Sequence, residues 1–194
     1  MRPGIDRLLL LLAVVMTVVG CESEFTPRPR GYMNLELQPH SYAPFDTTCP
    51  FAFEMSAQAR ATYDPAHAQQ PCWFSIEYPR HRAKVHISYA RLNGNLATYL
   101  EDVRTLTNKH ISKASGIQEQ VIMLPERHMY GMRFDVGGTT AASPIQFFIT
   151  DSATHFMRGA LYFNAVPNND SLAPVIQHIS EDIDHLISTF RWKD

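Results

Sequence analysis

The sequence predicts an α+β domain built on a mostly antiparallel sheet, flanked by two main helices and covered on both faces. Three observations carry that expectation. Ser143–Asn164 reads as two strands joined by a tight turn at Asp151–Thr154, and both faces of both strands carry large apolar side chains. Two other stretches, after Asn95 and after Asp170-Ser171, repeat their apolar residues at helical spacing. The remaining strand signals fall in consecutive pairs on either side of the first helix, which suits hairpins rather than parallel crossover units. In the first strand Ile145, Phe147 and Ile149 alternate with Gln146, Phe148 and Thr150; in the second, Phe156, Arg158, Ala160 and Tyr162 alternate with Met157, Gly159, Leu161 and Phe163. Such a hairpin needs a layer above and a layer below.

The chain opens with Arg2 and Arg7 before an apolar run, Leu8–Val19, that is too short to span a bilayer comfortably. Val18-Val19-Gly20-Cys21 then has the small-residue pattern of a bacterial lipoprotein cleavage site. Residues 1–20 are therefore read as a lipoprotein signal peptide and Cys21 as the acylated N-terminus, with an ordinary signal peptide or an uncleaved anchor as the alternatives. Two or three acyl chains, at about 0.8 kcal/mol per buried methylene, make a near-permanent tether. Removing residues 1–20 takes away Arg2, Arg7 and Asp6, so the formal net charge moves from −2 to about −3. A mildly acidic chain without a basic block makes nucleic acid an unsuitable partner. Residues 21–31 are polar and proline-bearing and read as a spacer, leaving 32–194 as a single periplasmic domain.

Along that domain, Tyr32–Leu37 alternates as a first strand ended by Pro39. Phe51–Ala57 and Arg60–Tyr63 are extended, and Asp64–Pro71 is a surface loop. Cys72–Tyr78 and Ala83–Tyr89 form a hairpin turned by Pro79-Arg80-His81, with Val85, Ile87 and Tyr89 on a dry face and Lys84, His86 and Ser88 on a wet one. Asn95 is expected to cap a helix with Leu96, Tyr99, Leu100, Val103, Leu106 and His110 along its apolar side. Gln118–Met123 and Met129–Val136 are a further strand pair around Pro125–His128. The last helix begins near Asp170-Ser171, with Pro174 in its first turn and Glu181, Asp182 and Asp184 facing water. Phe190-Arg191-Trp192 is expected to pack its rings against the sheet edge. Beyond Cys21 the only cysteines are Cys49 and Cys72. In an exported chain they are read as a disulfide rather than a metal half-site, two buried thiols being the alternative.

Nine histidines invite a metal or catalytic reading. His178, Asp182 and His185 share a helical face and could hold a divalent ion, but no fourth ligand is implied, so they are read as solvated helix surface. His81 and His86 bracket a turn and a strand and are not assigned as ligands; no metal and no cofactor is expected. Asp151, His155 and Arg158 surround the central turn, and Ser152 could complete a triad, yet residues so close in sequence rarely converge on one substrate atom. No G-x-S-x-G elbow, phosphate-cradling glycine loop or H-E-x-x-H is present. Asp151 is expected to bond the turn backbone and Arg158 to pair with a carboxylate, since a buried charge must be paired. The polar loop Asn164–Ser171, with Asn164, Asn168 and Asn169, is either a connector or a recognition loop. Two classes remain: a non-catalytic interaction module, and a small periplasmic ligand-binding protein or hydrolase with a site near Asp151, His155 and Arg158.

Five segments carry a resemblance to a known family: Pro27–Tyr32, Cys49–Glu54, Cys72–Pro79, Tyr99–Leu106 and Phe147–Val175. In them the chain resembles the gliding motility lipoprotein GldD family of gliding Bacteroidota, departing at Thr26, where the family often has an aromatic residue. The order of elements also resembles that of the PsbP-like fold, a three-layer sandwich. The family resemblance implies an accessory lipoprotein of the gliding and type IX secretion machinery, with no catalytic residues to carry over. The partners it implies are other gliding lipoproteins and the periplasmic ring and motor proteins, with the membrane reached through the lipid anchor. It also implies a periplasm-facing location, on the inner leaflet of the outer membrane in preference to the cytoplasmic membrane.

Overall fold

The computed structural model describes residues 36–109 and 114–193. In chain order its strands and helices are β1 (Tyr42–Phe45), β2 (Phe51–Ser56), β3 (Arg60–Thr62), β4 (Phe74–Tyr78), β5 (Ala83–Arg91), α1 (Leu96–Asn108), β6 (Gly116–Leu124), β7 (Met129–Gly137), β8 (Ile145–Thr150), β9 (His155–Phe163), α2 (Asn169–Thr189) and β10 (Arg191–Trp192). Seven strands make one antiparallel sheet in the order β3-β4-β5-β9-β8-β7-β6, and β1-β2-β10 make a separate small sheet. The β8–β9 hairpin therefore sits in mid-sheet, β9 pairing with β5 on its outer side from Ala83↔Phe163 to Arg91↔His155. Every residue of β8 is buried. The expectation of an α+β domain around a doubly covered antiparallel sheet holds.

The two faces carry different cores. On one, Ile145, Phe147, Ile149, Met157 and Leu161 meet Val175, Ile179, Ile183 and Leu186 of α2, together with Phe51 and Phe53 of β2 and Phe190. On the other, Phe134, Phe148 and Phe156 meet Val103 of α1, with Leu96 and Tyr99 packed beside them. Gly159 sits opposite Phe147 in the register, and the ring lies where a side chain would be: a Cβ on Gly159 would fall 2.2 Å from the ring. Two hairpins share one turning device. In β4–β5 and β6–β7 a proline opens a single 3₁₀ turn, Pro79–His81 and Pro125–Arg127. The next residue, Arg82 or His128, then enters the left-handed region at φ 50° and 48°.

Several boundaries differ from the sequence reading. Of the expected strand Tyr32–Leu37, residues 32–35 lie outside the described residues, and Glu36 and Leu37 belong to no strand. The first described strand is instead β1, whose Tyr-Ala-Pro-Phe has no alternation; Pro44 is tolerated because β1 pairs only with β2 and is an edge. Asn95 precedes α1 but does not cap it: its Oδ1 accepts from the Asn93 N–H, holding the turn before the helix. Leu100 is 37% exposed, outside the stripe assigned to it, and His110 lies outside the described residues. Helix α2 starts at Asn169, so Pro174 falls in the second turn, where it removes the N–H that would reach the Asp170 carbonyl. Asp182, expected to face water, is 3% exposed. Beyond α2, Arg191 and Trp192 pair with Ala52 and Phe51, closing the small sheet. Cys49 and Cys72 form a disulfide with a Cα separation of 5.6 Å, tying the lead into β2 to the lead into β4. The signal peptide, Cys21 and the spacer assigned to residues 1–31 lie outside the described residues. Among the described residues no helix is long and apolar enough to cross a membrane.

Candidate functional site

The central turn is built from its own backbone. The Asp151 carboxylate accepts from the N–H groups of Ala153, Thr154 and His155 at 3.0, 2.8 and 2.7 Å, and Ser152 takes φ 69° between them. Burial opposes the charge, but the three bonds outweigh it and hold the carboxyl below its usual pKa. Asp151 is thus a turn residue, with its charge directed at amides. His155 points away from it: Nδ1 lies 2.8 Å from the Tyr89 hydroxyl, and the ring stacks on Trp192 at 4.9 Å. Both His155 and Met157 share the face that α2 covers, whereas Arg158, the next residue along the alternation, is on the face of α1. The fold therefore separates Asp151 and His155 from Arg158, and a single catalytic centre of these three is not formed.

Arg158 differs from the expectation in a second way. Among the described residues no carboxylate lies within ion-pair distance of it. Its Nη2 donates to Gln146 Oε1 at 2.7 Å, and its Nε is buried without a partner. Burial lowers its pKa from the ordinary guanidinium value, against a smaller opposing effect of the Tyr162 hydroxyl. It opens onto a cleft of about 730 Å³ that α1 leaves uncovered, floored by β4, β5 and β9 and walled by Trp73 and Tyr99. His86 lines the same cleft, with its Nδ1 2.8 Å from the Ser75 hydroxyl.

The buried arginine that is paired is Arg133 on β7, 6% exposed, which the sequence reading passed over. It bonds Asp135 through Nε and Nη2, Asp184 of α2 through Nη1, and the Ser180 hydroxyl. The signal was available: Arg133 and Asp135 share one face of a strand, and Asp184 lies on the next element to cover it.

The histidines of α2 are not solvated surface. His178 is 6% exposed, and the lead into β1 brings His40 onto it, ring on ring at 4.1 Å. His40 Nδ1 lies 2.7 Å from Asp182 Oδ1, and its Nε2 lies 2.8 Å from Glu181 Oε2. Burial and the Asp182 charge push the Tyr42 hydroxyl up to about 12 and that of Tyr78 higher still. Burial pushes the pKa values of His178 and His81 down. His40, His178 and Asp182 place one donor atom each within 4.8 Å of one another. Yet both nitrogens of His40 already face carboxylates, and stacked imidazoles do not aim their nitrogens at a common ion. His185 joins neither: it bonds Glu54 at 2.7 Å and stacks on Tyr42. The cluster acts as a clamp that holds residues 36–41 against α2. Asp182→Ala is expected to cost about 2–3 kcal/mol, less than a fully buried pair because His40 can hydrate, whereas Asp182→Asn, which keeps an acceptor, costs less. Urea midpoints of the two variants check this ordering.

In the loop after β9, Asn169 is structural, its Nδ2 donating to the carbonyls of Gly138 and Ala141 at 2.9 and 3.0 Å. Asn168 precedes α2 without a side-chain cap, and Asn164 uses its backbone N–H on the Arg82 carbonyl. Asn164 and Asn168 are exposed, as is Val166 between them, at 87%.

Comparison with known proteins completes the picture. A family model described as gliding motility lipoprotein GldD matches residues 22–192. No curated protein gives a match. Among solved structures the chain is similar to the solution structure of cyanobacterial PsbP (CyanoP) from Synechocystis sp. PCC 6803, with a TM-score of 0.48 and 10% identity over 84% of this chain and 99% of that one.

Proposed function

Because the chain belongs to the gliding motility lipoprotein GldD family, we propose that it works by contact, as an assembly factor that stabilises its partners at the envelope. Family membership places it among the non-catalytic accessory lipoproteins of the gliding and type IX secretion machinery, lipid-anchored and facing the periplasm. The match over residues 22–192 is the observation that carries this reading. It runs through both cores, both helices and the disulfide, so the whole domain, rather than one shared motif, is the unit of resemblance.

In this reading Cys21 carries the lipid, residues 22–31 act as spacer, and the domain meets other gliding lipoproteins and the periplasmic ring and motor proteins. The anchor sits in the inner leaflet of the outer membrane. The exposed loop containing Asn164, Val166 and Asn168 is a contact surface: it is polar around one projecting apolar residue, and none of these three side chains is spent on the fold's own hydrogen bonds. Asp151, His155 and Asn169, in contrast, serve the fold.

The test is capture of the intact lipoprotein from envelope membranes beside a Cys21→Ser form, with inner and outer membranes separated first. The intact protein is expected in the outer-membrane fraction together with components of the gliding or secretion apparatus, and the Cys21→Ser form is expected to lose most of them. Capture of no envelope protein by either form counts against an assembly role. Equal capture by both would move the contacts from the tether to the fold alone.

A further inference from the structure

In the cleft under α1, a part-buried charge has no carboxylate partner among the described residues. Arg133 and Arg158 lie on opposite faces of the same sheet and make an internal comparison. Arg133 is surrounded by two carboxylates and a hydroxyl, as a structural arginine should be. Arg158 has only neutral neighbours, the Gln146 carbonyl and the Tyr162 hydroxyl, and a buried Nε with no partner. Gln146 is 1% exposed and its own Nε2 is likewise unpartnered, so the pair presents surplus donors and no surplus acceptor. Three acidic groups line the cleft, none within ion-pair distance of Arg158: Asp102 is exposed on α1, and the other two are engaged elsewhere. Glu77 is held by Arg60 and Lys84, and Asp64 accepts from the Ala66 N–H and lies near His67.

The cleft has the size and lining of a small-molecule site: about 730 Å³, aromatic and aliphatic walls, and a few polar groups gathered on one floor. Its floor follows from register, since Ser88 stands opposite Arg158 and Ser75 opposite His86, placing four polar side chains on adjacent positions of three strands. Its walls follow from the limited reach of α1. Tyr99 stacks on Phe156 at 5.2 Å and fixes the helix over β9, while Trp73 is held across the opening by its indole N–H on the Tyr89 carbonyl at 2.7 Å.

We propose that this cleft binds a small organic carboxylate, whose charge pairs with Arg158 and whose apolar or aromatic body lies against Trp73, Tyr99 and Phe156. The site stands independently of the assembly role and would make the domain a ligand-responsive module. The carboxylate supplies the acceptors that Arg158 lacks, in the bidentate geometry a guanidinium favours.

The probe pair is 2-naphthoate and the neutral 2-naphthamide, titrated calorimetrically into the mature chain, residues 21–194, carrying Cys21→Ser, so that neither leader nor lipid calls for detergent. Naphthoate is expected to bind at least tenfold more tightly than the amide. Arg158→Gln is expected to remove that advantage while leaving amide binding within twofold. Ser88→Phe, which fills the floor but keeps the Arg158 charge, is expected to abolish both. Unliganded Arg158→Met is expected to melt only slightly lower than the parent, since it breaks the hydrogen bond to Gln146 but no ion pair. Equal affinity for acid and amide, no binding of either, full naphthoate binding by Arg158→Gln, or a marked fall in melting temperature of Arg158→Met would each overturn the proposal.

Discussion

Replacing Gly159 with alanine is expected to destabilise the domain by about 3 kcal/mol, at the upper end of the usual range for overpacking. The reason is local. Gly159 and Phe147 are directly opposed on the two central strands, and the Phe147 ring occupies the space over Gly159, with ring carbons 2.2, 2.3 and 2.9 Å from where a Cβ would stand. Phe147 is 1% exposed beneath α2, so the ring cannot swing into solvent and must push on the helix or part the strands. At roughly 2–4 °C per kcal/mol for a chain of this size, the melting temperature should fall by about 10 °C. Phe147→Ala alone should cost about 3–5 kcal/mol for the opposite reason, a cavity in place of a ring. The two changes should not add: in Gly159→Ala/Phe147→Ala the clash is gone and only the cavity remains, so the double variant should resemble Phe147→Ala. A double-mutant cycle by chemical denaturation measures this, and simple additivity would show that the ring and the glycine are not coupled.

What could be read from the sequence, and what could not, follows from how far each signal reaches along the chain. The hairpin over Ser143–Asn164 was legible because its two-faced apolar pattern is local and its turn is fixed by Asp151. The helices were legible from period, and the disulfide from an exported chain with two spare cysteines. The small sheet was not, because β1 has no alternation and β10 is two residues long; both exist only because β2 offers edges to pair with. Asp182 was misread as wet for a related reason. On α2 it lies beside the apolar stripe, and only His40, 142 residues away in sequence, converts that position into a buried clamp. Arg158 was rightly singled out as an unusual charge, but its neighbours were misjudged. Strand alternation puts Asp151 and His155 out of its reach, and the cleft that it does face is made by where α1 stops.

Reducing the Cys49–Cys72 bond is expected to cost the domain about 3 kcal/mol, the value that chain entropy assigns to closing a loop with this separation of 23 residues. The bond adds a covalent link between the two sheets, beside the short β2–β3 connection. Cys49 is 1% exposed and leads directly into β2, the centre of the small sheet, while Cys72 leads through Trp73 into β4 of the large one. Without it residues 57–73, which carry the edge strand β3 and the Trp73 wall of the cleft, are held by three residue pairs between β3 and β4 and by ring contacts such as Tyr63 on Phe74. Stability should therefore fall unevenly. The β8–β9 hairpin and α2 should keep their amide protection, while residues 57–73 lose theirs first, since local opening needs few buried contacts to break. Urea denaturation with and without reductant gives the total. A Cys49→Ala/Cys72→Ala variant should match the reduced parent and ignore reductant. Hydrogen exchange resolves the distribution: uniform loss across the large sheet would mean that the bond supports the main core rather than its edge. If instead the midpoint did not move at all on reduction, the packing of Phe51, Phe53 and Phe190 would be sufficient by itself to hold the small sheet in place.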